Sequence, residues 1–359
     1  MFVFSGWAYD FNDIDFSFAP KTHFTEEKEN GEAKCGAVSP EISSEQNKTD
    51  IALPSKKLRR GFSRFVKTDA FGDAIPDSSL FYRQALSESH KAVYDEIYKA
   101  VMNAEEKIQL LKRVKDKEFG NIVMSVYLDN PELWWWAGNI SYNYNKNGDV
   151  THIFFSYLFT KEELFEANKR FESMSLPIIF YAALLDSDID KIKYVHDYLC
   201  QSIEYDYDAK NSGIYNGKLQ TAYSAVVEYK TVCAGYSRAF AYYMQQLGIP
   251  CVVIYGSGHA WNLLEIEGSF YQMDVTWNDG KSVPPYFNLT HSQMLNVSGH
   301  TPYELSASVL RYCPSFSTRF SYSSYFGKTP TGFPYTYQEF ENIVADIENP
   351  SYARIYIRK

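Results

Sequence analysis

The stretch from Lys230 to Asp279 constrains the fold most, because a helical repeat there passes directly into strand-like runs. After Cys233, the side chains Tyr236, Phe240, Tyr243, Met244 and Leu247 fall on one helical face, and Gly248 stands where such a helix ends. Pro250 to Tyr255 reads as a buried strand closed by Gly256-Ser257-Gly258. His259–Ile266 and Phe270–Trp277 then read as the arms of a hairpin. The pattern predicts an α+β fold with a helix packed on an antiparallel sheet.

Three side chains of this stretch suggest chemistry. Cys233 opens the helix, where unpaired N–H groups and the positive dipole end favour a thiolate. His259 and Asp274 lie on the two arms, and strand parity tests whether they can meet. A four-residue loop over 266–269 pairs Glu265 with Phe270 and sets Asp274 on the face of His259, one diagonal step away at about 7 Å. A two-residue loop keeps the face but moves Asp274 further off, and a three-residue loop turns it to the wrong face. If the three converge, they form a thiol acyl-transfer triad, with imidazole taking the thiol proton and carboxylate orienting the ring. Each alone has an ordinary explanation: a cysteine at a helix start serves as a small apolar side chain, and a strand histidine as a hydrogen-bonded structural residue. Asp274, between Met273 and Val275, is harder to explain that way, because a buried carboxylate costs several kcal/mol unless paired. The backbone N–H of Cys233 is the natural first donor to a developing oxyanion, and spacing leaves Gln220 and Tyr223 both open as the second.

These residues carry a resemblance. Val232-Cys-Ala-Gly-Tyr236 with Ala239-Phe240, His259-Ala-Trp-Asn262 and Asp274-Val-Thr-Trp277 resemble the core of the transglutaminase-like superfamily of papain-like cysteine enzymes, in the form common in bacteria. Tyr194–Tyr198 and Ile203–Asp206 resemble the helix before the cysteine, and Tyr286–Leu289 the segment after the aspartate. The likeness covers about residues 185 to 300, in order. It implies Cys233 as nucleophile, His259 as base, Asp274 as orienting acid, and no cofactor.

The rest of the chain frames this core. The expected organisation is a poorly patterned arm over 1–75 with a basic cluster at Lys56–Arg60, an N-terminal α/β domain over 76–180, the catalytic core over 181–300, and a small α/β unit over 301–359. Val93, Ile97 and Val101 mark one helix, and Ile140–Tyr144 and His152–Tyr157 a hairpin. Thr160 with Glu163 forms a capping box for a helix to about Ser173, and Ser187 or Asp188 caps the next. Trp134-Trp135-Trp136 fits a core and interdomain seam. His196-Asp197 near Cys200 fits a structural role, and His291 and His300 fit surface or packing roles. The polar loop 211–219 is a candidate wall of a substrate cleft. A helix over 337–347 and a strand over 353–357 are expected near the end.

Composition narrows the partners. A net charge of −9 argues against nucleic acid, and no apolar run suits a membrane span. The five cysteines lack CxxC spacing and the seven histidines are scattered, which argues against a disulfide framework or a zinc site. No signal peptide is recognisable, and the compartment stays open between the cytoplasm and a cell surface. The expected activity is attack on a peptide or protein amide, with passage of the acyl group to water or to an amine. No DxDxDG calcium loop occurs, which favours hydrolysis or a specialised transfer. The alternative is a non-catalytic binding module on the same fold.

Overall fold

The computed structural model describes residues 32–33, 79–213, 217–297 and 299–326. The arm and its basic cluster (save Glu32–Ala33), part of the 211–219 loop, the helix over 337–347 and the strand over 353–357 lie outside the described residues.

Helix α1 (Glu88–Met102) starts at Ser87, whose hydroxyl accepts from the His90 N–H, and it buries Val93, Ile97 and Val101 as their spacing predicts. Helix α2 (Asp116–Asp129) takes in the apolar run before the Asp129-Asn-Pro turn. Strands β1 (Ile140–Asn145) and β2 (Val150–Phe155) form the expected hairpin, with Tyr142 opposite Ile153. Trp134 and Trp136 are core residues. Trp134 stacks on Phe171 at 5.0 Å and touches Tyr223 at 5.0 Å, which ties this half of the chain to the stretch before Cys233.

Helix α3 (Lys161–Ala183) opens with both halves of the Thr160–Glu163 capping box. It does not stop near Ser173 as the sequence suggests but runs on through Pro177 to Ala183. The proline removes one helical hydrogen bond, and the burial of Ile178, Ile179 and Ala182 on the same turns outweighs that loss.

Helix α4 (Asp188–Ser202) is capped by Ser187, as expected. Helix α5 (Cys233–Gln246) then packs on strands β3 (Cys251–Gly256) and β4 (His259–Ile266), which form a three-stranded antiparallel sheet with β5 (Ser269–Met273). The register pairs Glu265 with Phe270, one of the registers the sequence allows. Pairing runs one step further, to Ile266 and Ser269, so the turn is Glu267-Gly268 alone. The second arm ends earlier than expected: β5 stops at Met273, and Asp274 is the N-cap of a short helix, α6 (Val275–Asn278). Its carboxylate accepts the Trp277 N–H at 3.0 Å, a local bond that competes well with one more rung of sheet.

Packing is continuous across residue 180, since buried side chains from both sides join one cluster. The C-terminal end of α2 leaves carbonyls that α5 satisfies: the buried Arg238 guanidinium donates to Tyr127 O (2.5 Å) and Asn130 O (3.2 Å), and Gln245 Nε2 donates to Asp129 O (2.9 Å). The guanidinium also sits 3.9 Å from the centre of the Tyr127 ring. Beyond the core, helix α7 (Glu304–Tyr312) brings Ser306 to the Tyr82 hydroxyl, which also donates to Val253 O in β3.

Candidate active site

The fold brings the head of α5, the head of β4 and the end of β5 together. Cys233 is the first residue of α5 and part-exposed; Val232 gives the helix no side-chain cap and its first turn has no acidic residue, and while the Gly235 N–H turns back to Val232 O at 2.9 Å, the N–H groups of Cys233 and Ala234 lead the helix. That leaves them to polarise the sulfur or an oxyanion held beside it. The following Gly235 is dictated by contact, because a Cβ there would overlap the Thr231 hydroxyl.

His259 stands at the first position of β4, 8% exposed, and its Nε2 lies 2.7 Å from Asp274 Oδ2. With Nε2 committed to the carboxylate, Nδ1 is the nitrogen left to exchange a proton with sulfur. Burial alone disfavours the charged ring, but the Asp274 charge and hydrogen bond, aided by Cys233, outweigh it and push the His259 pKa up. Asp274 is fully buried, which raises a carboxyl pKa, yet His259, His300 and the Trp277 N–H together hold it below the usual range. The other motif residues fix this arrangement: the Trp261 indole donates to Gln272 Oε1 (2.8 Å), and Asn262 donates to Ser237 O (2.9 Å), locking β4 onto α5.

One expectation is corrected here. His300 is neither a surface nor a simple packing residue, because it is wholly buried and its Nε2 lies 2.8 Å from the same Asp274 Oδ2. Sequence reasoning missed it because His300 lies on a loop 26 residues beyond Asp274, outside the patterned stretch that holds the other three. His291 does have a packing role, bonded through Nδ1 to Gln272 Nε2 at 3.0 Å. Near the site, His196 links Asp197 (2.8 Å) and Cys200 (3.7 Å), but burial pushes the Cys200 thiol up and keeps it neutral, in line with a structural role.

Of the two oxyanion candidates, Tyr223 has its ring packed among Trp134, Phe159 and Phe171. Gln220 is buried at the end of a 3₁₀ turn (Gly217–Gln220) that packs against α5, and its carbonyl accepts the Tyr127 hydroxyl at 3.0 Å. His259, Asp274 and His300 are also the one group among the described residues whose donor atoms crowd within 4.8 Å, as metal ligands do. Both imidazole Nε2 atoms are engaged with the carboxylate, so the group reads as a hydrogen-bonded cluster. No described helix is long and apolar enough to cross a membrane.

Comparison with known proteins bears on this geometry. Residues 181–279 match the family model described as the transglutaminase-like superfamily. A 110-residue stretch is 28% identical to kyphoscoliosis peptidase of Mus musculus, covering 26% of this chain and 16% of that protein. A solved structure described as a crystal structure of a TGase aligns over 39% of this chain and 44% of its own, at 17% identity and a TM-score of 0.28. The chain thus spans a minor part of each of these relatives. The stretch that carries the cysteine, the histidine and the aspartate is a domain of the transglutaminase-like superfamily.

Proposed function

We propose that this chain is a thiol acyl-transfer enzyme acting on peptide or protein amides, with Cys233 as nucleophile, His259 as base and acid, and Asp274 as the orienting carboxylate. The observation that carries this reading is the 2.7 Å bond between His259 Nε2 and the fully buried Asp274, with Cys233 at the head of α5 among the groups that act on the His259 ring. The Cys233 thiol gives its proton to His259 Nδ1, and the sulfur attacks the amide carbonyl carbon. The Cys233 backbone N–H receives the oxyanion. Collapse of the tetrahedral species breaks the C–N bond, and the imidazolium gives its proton to the departing amine. The thioester then passes its acyl group to water or to an amine, which loses a proton to His259 as the sulfur leaves and regains its own. The word peptidase in the mouse relative's name favours water as the acceptor.

Thiol reactivity tests this reading without a known substrate. Iodoacetamide is expected to alkylate Cys233 below about pH 7, well ahead of the other four cysteines. Burial pushes the Cys313 thiol up to about 12 and those of Cys200 and Cys251 up as well, so none of these competes. Peptide mapping that found all cysteines labelled slowly and alike would favour a binding module instead.

As the second oxyanion donor we propose Gln220 over Tyr223, because the Tyr223 ring already serves the aromatic core while the turn that carries Gln220 packs against α5. Gln220→Ala is expected to lower kcat by about 10²- to 10³-fold with little change in KM, as loss of one such donor does. Tyr223→Phe keeps the packing and is expected to leave kcat unchanged; the reverse result in steady-state kinetics would reassign the donor.

A further inference from the structure

Asp274 carries two imidazoles on one oxygen. His259 reaches Oδ2 from β4 at 2.7 Å and His300 reaches it at 2.8 Å, while Oδ1 takes the Trp277 N–H. The His300 ring is set edge-on to Trp277 (4.6 Å), Trp261 (4.9 Å) and His259 (5.2 Å) and stacked on Tyr286 (5.9 Å), so it has no free rotamer. Its Nδ1 is buried with no hydrogen-bond partner among the described residues. A doubly protonated ring would bury an N–H with no acceptor, so this pocket suits a neutral ring that donates from Nε2.

The backbone is built to deliver this ring. Gly256, at the end of β3, pairs with Pro302, and the Tyr303 N–H donates to Tyr255 O at 2.9 Å. A Cβ on Gly256 would overlap the Thr301 carbonyl, so the loop carrying His300 approaches as closely as backbone allows. A phenylalanine would fill the same apolar surroundings, so packing alone does not call for an imidazole.

Two donors on one carboxylate oxygen share its charge, and each bond is weaker than it would be alone. That matters to a base that must also act as an acid: an imidazolium gripped by an undivided carboxylate is slow to return its proton to a leaving amine. We propose that His300 is a positioning residue for this site, dividing the Asp274 carboxylate between two rings so that His259 is held in place yet able to release the proton it takes. The inference rests on Cys233 being the nucleophile. The other titratable groups facing this cluster are Cys233 on α5, Cys200 on α4, which couples to Asp274, and Tyr286 against His300; Asp197 and Asp279 act through Cys200.

The test is the pH profile of Cys233 alkylation by iodoacetamide, read by mass spectrometry on the full chain, in wild type, His300→Phe and His300→Gln. Phenylalanine keeps the shape without the donor, and glutamine keeps an N–H. In His300→Phe the undivided carboxylate holds the imidazolium, and with it the thiolate, more firmly, so the midpoint is expected to fall by about one pH unit. His300→Gln is expected to restore the wild-type midpoint, a rescue that a purely structural role does not give. A midpoint in His300→Phe that is unchanged or higher overturns the role of His300 while leaving the nucleophile in place. A wild-type Cys233 no faster than its neighbours overturns both, and is seen before any variant is made. Should His300→Phe not fold, nitrogen NMR of the wild-type imidazoles decides: a proton on Nε2 of His300 supports the inference, and a ring protonated on Nδ1 alone refutes it.

Discussion

Replacing Cys233 with alanine is expected to remove about 10⁴- to 10⁶-fold of amide turnover while leaving the fold standing. The loss is large because in the proposed mechanism the sulfur forms the covalent intermediate, and no other described thiol opens a helix beside the His259–Asp274 pair. The fold survives because the side chain is small and part-exposed, so its removal costs about 1–2 kcal/mol at most. Denaturant melts alongside activity separate the outcomes. A Cys233→Ala chain that failed to fold would mark the cysteine as structural, and one that kept turnover would end the proposed mechanism.

Asp274→Ala is expected to strike both stability and rate. The carboxylate is fully buried, accepts from two imidazoles and a backbone N–H, and caps α6. Removing it strands these donors together, at a cost of about 3–5 kcal/mol, and releases His259, lowering turnover by about 10⁴-fold. The stability loss depends on pH in a definite direction. The lowered Asp274 pKa gives stabilisation present above its ordinary value of 3.8 and lost as pH falls toward about 2. The raised His259 pKa gives stabilisation present below 6.5 and lost as pH rises toward about 10. The gap between wild type and Asp274→Ala in urea melts should therefore be widest between these limits and narrow on either side. A flat gap would mean that the pair contributes no linked charge.

The sequence made some of this site legible and hid the rest for physical reasons. Cys233, His259 and Asp274 could be picked out because the first two open a helix and a hairpin strand and the third follows the hairpin's last strand directly, so local periodicity brings all three into view. The end of β5 could not be read, because Asp274 satisfies strand alternation as well as an N-cap and only the finished fold decides between them. Pro177 likewise signals a break that the buried turns around it override. His300 was out of reach: its place depends on a glycine–proline bridge between residues 256 and 302, a contact with no period and no motif.

The guanidinium of Arg238 limits how the chain can be divided. The superfamily match begins at residue 181, but this cation on the helix of Cys233 reaches for oxygen at 127 and 130, and Gln245 for oxygen at 129. The matched segment is therefore incomplete by itself: excised at that boundary, it would lose the carbonyl oxygens that Arg238 and Gln245 meet and open the face of α5 that they cover.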